Sequence, residues 1–111
     1  MAFHQSKDAS GVTVVRVDGQ LVVGNRQELK DLVNQALDAG NRKILIDFSQ
    51  TGYIDSSGLG ALVALSKRAR EVGGDLRLSG LNEDLRSLFE LTKLDTLFAI
   101  ADTPEQALAG F

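Results

Sequence analysis

The feature that most limits the fold is a run of almost entirely apolar residues, KILIDF at positions 43–48, set between two segments with helical periodicity. A strand of this composition is typical of the centre of a sheet that is covered on both faces. Residues 29–37 before it and 59–72 after it place apolar side chains at the spacing of an amphipathic helix. Strands that alternate with helices in this way predict an α/β domain with parallel central strands.

The remaining segments extend this alternation on both sides. Phe3–Lys7 and Val12–Val17 are separated by turn residues, which predicts an antiparallel hairpin at one edge of the sheet, ended by Asp18-Gly19. Two further short strands are predicted near residues 76–78 and 97–100. We therefore predict a single domain over residues 1–111 with a mixed sheet, helical crossovers and about four helices.

Side chains suited to capping mark where these helices begin and end. Asn25, with Glu28 three residues later, forms a capping-box pattern before the first helix, and Gly40 ends that helix. Asn82 is expected to cap the third helix, and Thr103 the last one. Leu85, Leu88 and Phe89 of the third helix are expected to face the core.

Composition excludes several classes of protein. The net charge of -3 and the sequence pI near 5.0 provide no electrostatic reason to bind nucleic acid. No apolar run approaches the roughly 20 residues that span a bilayer, so no membrane partner is expected. The absence of cysteine excludes disulfides and fits a cytoplasmic protein.

The segment IDSSGLGAL, residues 54–62, stands where the central strand passes into the second helix. Asp55, Ser56 and Ser57 are all good N-cap residues, but one cap is enough. Gly58 and Gly60 each cost roughly 0.5–1 kcal/mol inside a helix relative to alanine. Two interpretations remain open: a simple cap, or a docking and modification site whose glycines serve the approach of a partner and not the fold. For such a site we predict that Ser56 is accessible to solvent.

Enzyme chemistry is not supported by the same residues. A serine nucleophile needs a base, and the only histidine, His4, is expected on the surface of an edge strand. Val63 breaks the G-x-G-x-x-G fingerprint, and no phosphate-binding lysine motif follows. Asp47 and Asp55 are read as a strand end and a helix cap instead of metal ligands. We expect no catalytic residue, no cofactor and no metal.

The turn resembles the D-S-[ST]-G-L-G signature of STAS domains, and specifically of bacterial anti-sigma factor antagonists. The resemblance extends over nearly the whole chain, from Phe3 to Leu108, through VDGQL, KILIDFSQTGYIDSSGLG, GGDLRLSGL and LFELTKLDTLFAIADTPEQAL. It implies a regulator whose first motif serine, Ser56, is phosphorylated by a partner that is both a serine kinase and an anti-sigma factor. The unphosphorylated form would bind that partner, and a PP2C-type phosphatase would reset the switch.

The resemblance also implies which residues meet the partner. They are Asp55, Ser57, Gly58, Leu59 and Gly60 of the motif, with Val23 and Gly24 of the preceding loop. Many family members carry an acidic residue where this chain has Val22, so the resemblance does not identify the partner. Because side chains alternate along a strand, we expect one of the two valines, Val22 and Val23, to be buried and the other exposed. The alternative function is a STAS scaffold subunit of a stress-signalling or lipid-transport assembly that is never phosphorylated.

Overall fold

The computed structural model describes residues 2–111, which form five strands, four α-helices and a 3₁₀ turn at Leu94–Thr96. The strands are β1 (Phe3–Lys7), β2 (Thr13–Leu21), β3 (Lys43–Ile54), β4 (Asp75–Ser79) and β5 (Ala99–Ala101). The α-helices are α1 (Arg26–Asp38), α2 (Ser56–Glu71), α3 (Glu83–Leu91) and α4 (Pro104–Ala109).

The strands form one mixed sheet in the order β1-β2-β3-β4-β5. Strand β1 is antiparallel to β2 and forms one edge, while β2 to β5 are parallel to one another. Each pair of parallel strands is joined through a helix, as the alternation of patterns requires. The predicted fold class, with its N-terminal hairpin and its central apolar strand, is confirmed.

Side-chain alternation on β3 divides the core between the two faces of the sheet. Ile44, Ile46 and Phe48 are fully buried in the main core, together with apolar residues of α1, α2 and α3. Leu45 points to the opposite face, where it packs with Ala107 of the short helix α4. Both faces of the central strand are therefore covered, which explains its nearly continuous apolar sequence.

Two strands run further than the sequence predicted. Asp18-Gly19 does not end β2, because the pairing with β3 shifts register on both sides of these residues and the strand continues to Leu21. Gly19 has a φ of +88°, a backbone conformation that glycine adopts without strain and other residues rarely adopt, so the strand can continue through the register shift. Asp47 does not end β3 either; its buried carboxylate accepts a hydrogen bond from the Ser49 backbone amide at 3.0 Å.

The helix caps were predicted with mixed success. Asn82 accepts from the Leu85 amide at 2.8 Å, and Thr103 accepts from the Gln106 amide at 3.2 Å, as predicted. Asn25 does stand before α1, but the predicted capping box is wrong. Its side-chain oxygen instead accepts from the Val22 amide at 2.9 Å, so it organises the loop before the helix and does not cap it.

Candidate functional site

The site lies where the carboxyl ends of β2 and β3 meet. The last residues of these parallel strands, Leu21 and Ile54, are partners in the sheet. The turn that leads from β2 to α1 is therefore placed beside the start of α2, although the two are far apart in sequence. This edge of an open α/β sheet is where binding sites gather.

Asp55 is the N-cap of α2 and connects these two segments. One carboxylate oxygen, Oδ1, accepts from the Gly58 amide at 2.7 Å, which is the usual capping bond. The other, Oδ2, accepts from the Val23 amide of the neighbouring turn at 3.0 Å. The Asp55 amide in turn donates to the Leu21 carbonyl at 3.1 Å.

The two serines that follow have different environments. Ser56, the first residue of α2, is exposed, whereas Ser57 is half-buried. The predicted accessibility of Ser56 is confirmed. Its position in the first turn places the hydroxyl near amide groups that have no acceptor within the helix and near the positive end of the helix dipole. A phosphate attached there would be tolerated by the helix.

The two glycines of the motif serve different purposes. A Cβ on Gly58 would lie 2.5 Å from the Leu21 carbonyl oxygen and 2.9 Å from Cγ2 of Ile54. Gly58 is buried, so the prediction that it serves a partner and not the fold is wrong: β2 and α2 approach too closely there for a side chain. Gly60 is exposed, and across residues 2–111 no atom outside its own helical turn lies within 4 Å of a Cβ placed on it.

The turn after β2 carries an exposed apolar residue whose backbone is bonded to Asp55, the residue before Ser56. Val23 is 66% exposed and Gly24 is exposed, while Val22 is half-buried. The predicted contrast between the two valines therefore holds in direction, with Val22 only partly covered. Because the Val23 amide is bound to Asp55, the structure brings the two predicted halves of the site together.

An open groove of about 520 Å³ borders Ser56 and extends to α3. Its apolar lining includes Tyr53 at the end of β3, Leu59 of α2, and Leu85 and Leu88 of α3. Two carboxylates, those of Asp55 and Asp84, also line it, and within the described chain no basic side chain does.

Sequence reasoning missed most of the groove. It assigned Leu85 and Leu88 to the core, yet only Leu85 is buried, and it did not consider Tyr53, which is 57% exposed. The signal that the sequence offered was an aromatic residue, Tyr53, just before the motif. The structure shows that this side chain is exposed, as aromatic residues at binding surfaces often are.

The charged groups on the hairpin form a separate cluster. His4, on edge strand β1, lies with its Nε2 2.8 Å from Asp18 Oδ2, and Arg16 Nε donates to Asp18 Oδ1 at 2.8 Å. The Arg16 guanidinium holds the pKa of Asp18 below its usual range. The surface position predicted for His4 is confirmed. No group of acidic and histidine side chains suited to a metal ion occurs among residues 2–111.

Comparison with known proteins assigns this architecture to a family. The family model described as "STAS domain" matches residues 5–107. BtrV of Bordetella bronchiseptica, named as a candidate anti-sigma factor antagonist, is 29% identical over 90% of this chain and 93% of its own length. The anti-sigma-B factor antagonist of Staphylococcus aureus is 30% identical over 82% of this chain and 84% of its own.

The solved structures agree with the sequence comparisons. A crystal structure of a candidate anti-sigma factor antagonist from Thermotoga maritima superposes with a TM-score of 0.89 at 28% identity, covering 97% of this chain and 92% of the other. This chain therefore belongs to the STAS domain family. Within the part of the chain that the structure describes, no helix is long and apolar enough to cross a membrane.

Proposed function

We propose that this chain is an anti-sigma factor antagonist that works as a phosphorylation switch with Ser56 as the phosphoacceptor. The observation that carries the proposal is an exposed serine at the start of α2 that borders an apolar groove and directly follows Asp55, whose carboxylate is bonded to the amide of the exposed Val23. The names of the relatives at 29% and 30% identity support an anti-sigma factor as the partner.

In this proposal the partner is both an anti-sigma factor and a serine kinase. The unphosphorylated chain binds it and frees the sigma factor, and a PP2C-type phosphatase later restores the serine. The chain supplies the acceptor hydroxyl while the partner supplies the catalysis, so the chain itself is not an enzyme. The exchange takes place in the cytoplasm, where sigma factors act.

Apolar side chains around Ser56 supply the driving force for docking. Val23 and Tyr53 are 66% and 57% exposed, and Leu59 and Leu88 form part of the groove lining. Removing apolar surface of this kind from water contributes about 25 cal/mol for each Å², from which the entropic cost of association is then subtracted. The binding residues that we assign to the surface are Asp55, Ser57, Leu59, Gly60, Val23 and Gly24, whereas Gly58 acts beneath it.

Phosphorylation would remove the partner without unfolding the domain. A phosphate adds about -1.5 to -2 charge at neutral pH. The helix start offsets this charge by roughly 0.3–1 kcal/mol. An acidic partner group about 5 Å away would repel each added unit of charge by about 3 kcal/mol at an effective dielectric near 20. Half of that repulsion already exceeds the ~1.4 kcal/mol that corresponds to a tenfold loss of affinity.

The test uses the purified small ATPases of the histidine-kinase-like type encoded in the same genome, beginning with any gene adjacent to this one. Incubation with each of them and Mg-ATP should add a single phosphate to the wild-type chain by intact mass, and fragmentation should map it to Ser56. Ser56→Ala should remain unmodified and bind constitutively. Ser87→Ala, which removes an exposed serine of α3 outside the groove, should be phosphorylated like the wild type.

The result also decides between the switch and the scaffold alternative. Ser56→Asp should bind the kinase at least about tenfold more weakly while keeping nearly the wild-type melting temperature. If Ser56→Asp bound as tightly as the wild type and no kinase modified Ser56, the chain would be a static STAS subunit.

A further inference from the structure

We infer that Asp55 is a positioning residue that holds the exposed Val23 at a fixed place relative to the Ser56 hydroxyl. This inference rests on the proposed function, because the partner is the protein that would recognise both residues at once. The supporting observation is that the two oxygens of the Asp55 carboxylate accept hydrogen bonds from two different segments. Oδ1 bonds the Gly58 amide of α2 at 2.7 Å, and Oδ2 bonds the Val23 amide at 3.0 Å.

The two amides lie on separate segments and bond to different oxygens of the carboxylate, so neither amide has to share an acceptor atom. Serine or threonine at this position would still cap the helix but has a single oxygen. Asparagine has one acceptor, and its NH₂ group is a donor that would face the donor amide of either Val23 or Gly58. Several residue types can therefore fill the capping role, whereas bonding the helix start and the Val23 turn through separate oxygens uses both acceptor atoms of the Asp55 carboxylate.

The turn around Val23 is held from both sides. Asn25, at the start of α1, accepts from the Val22 amide at 2.9 Å and donates to the Gln20 carbonyl at 2.9 Å. Asp55 holds the same turn from α2, and the missing side chain of Gly58 lets α2 lie directly against the Leu21 carbonyl. Val23 consequently presents its side chain to solvent from a backbone that is fixed on both sides.

The second bond contributes to geometry more than to stability. The Asp55–Gly58 bond is partly buried, but the Val23–Asp55 bond is exposed to solvent. Water can replace an exposed acceptor at little cost, so the loss of this bond should leave the fold intact. Its consequence is the position of Val23: a partner that binds Val23 and the Ser56 segment together binds more tightly when Val23 is already held in place.

The first experiment needs no partner. In the full-length protein, Asp55→Ser keeps the cap and removes the link, and amide hydrogen exchange at Val23 should become about tenfold faster or more. Asn82→Ser also leaves a serine as the helix cap, at the start of α3; it removes the 3.4 Å bond to the Thr51 carbonyl but no bond to the Val23 turn, and should leave exchange at Val23 unchanged. Unchanged exchange at Val23 in both Asp55→Ser and Asp55→Asn would overturn the inference.

The second experiment separates positioning from a purely structural role. With the ATPase that phosphorylates the wild-type chain, Asp55→Ser should raise KM about fivefold or more while kcat changes less than about twofold. Asn82→Ser should change neither constant. Faster exchange at Val23 with an unaltered KM would reduce Asp55 to a structural link and refute the inference. If no ATPase phosphorylates even the wild type, the proposed function fails, and the exchange result alone decides whether Asp55 fixes the turn.

Discussion

Two aspartates hold the chain at opposite ends of β2, and they do so over very different distances. Before the strand, Asp8 accepts from the Ser10 amide at 3.1 Å and the Val12 amide at 2.8 Å, so all of its bonds close one local turn. At the other end of β2, the turn that follows the strand is held by Asp55, which itself comes directly after β3. The Asp55 carboxylate accepts from the Gly58 amide three residues ahead and from the Val23 amide in that turn. The same side chain thus serves as a turn residue at one end and as a connector at the other.

The difference shows how a functional edge of a sheet is built. A local turn closes a hairpin whether or not the rest of the domain is folded, since its partners are always nearby. The junction at Asp55 exists only when β2 and β3 are paired in register, because only then do the Val23 amide and the start of α2 meet. The site around Ser56 therefore depends on the tertiary structure, whereas the Asp8 turn does not.

The largest effect is expected from Gly58→Ala. The new methyl group would lie 2.5 Å from the backbone oxygen of Leu21, and a main-chain atom in a sheet cannot easily move away. We expect a loss of about 2–3 kcal/mol in the free energy of unfolding, at the upper end of the range for overpacking. This corresponds to a fall of about 10 °C or more in melting temperature, measured by calorimetry or circular dichroism.

Gly60→Ala is the matched control for this substitution. It lies two residues further along the same helix, at a site open to solvent, and should raise the free energy of unfolding by about 0.5–1 kcal/mol. Equal destabilisation by the two variants would mean that the close approach of Leu21 to α2 is not what demands glycine at position 58.

Asp55→Ala is expected to destabilise the fold less than Gly58→Ala does, and Asp8→Ala is expected to destabilise it less still. Loss of an N-cap costs about 0.5–2 kcal/mol, and Asp55→Ala also removes the link to Val23. Asp8→Ala should cost less, because the Asp8 bonds are all local and only the one from the Val12 amide is partly buried. Urea unfolding of both variants measures the difference, and a greater loss in Asp8→Ala would break the contrast between the two ends of β2.

The same contrast explains what the sequence could predict. The turn before β2, the Asn82 and Thr103 caps and the apolar strand β3, covered on both faces, are local patterns, and all were predicted correctly. The position of Asp55 as a cap was also predictable, but its bond to Val23 was not. Gly58 of α2 must be glycine because Leu21 of β2 lies so close to it. The sequence pattern of a helix does not show which residue of another element will pack against it.

The candidate site was predictable to a similar extent. Exposure of Ser56 follows from its place at a helix start, and the structure confirms it. The groove was not predicted, because an amphipathic pattern shows which side of α3 faces inward but not where the covering by other elements ends. Leu88 was therefore assigned to the core, although it lines an open surface. The ends of β2 and β3 were missed because residues 18–19 and 47 are polar or turn-forming residues that pairing keeps within the strands.

The smallest effect concerns acid, and it belongs to the Asp8 turn. The Val12 amide is the main cause that lowers the pKa of Asp8 below its ordinary value of 3.8. A carboxyl group with a lower pKa in the folded protein stabilises the fold above the unfolded pKa, and this contribution is lost as the pH falls through the folded pKa. The free energy of unfolding should therefore decline below about pH 4, and Asp8→Asn, which keeps one acceptor for Val12 but has no charge to lose, should show a shallower decline. Urea unfolding at pH 7, 4 and 3 measures both slopes. Arg16 lowers the pKa of Asp18 as well. Some loss of the free energy of unfolding in acid should therefore persist in Asp8→Asn, and the loss should be smaller still in the double variant with Asp18→Asn. Identical slopes in the wild type and Asp8→Asn would show that the local bonds of Asp8 do not favour its charged form, and that the turn before β2 is held by its backbone alone.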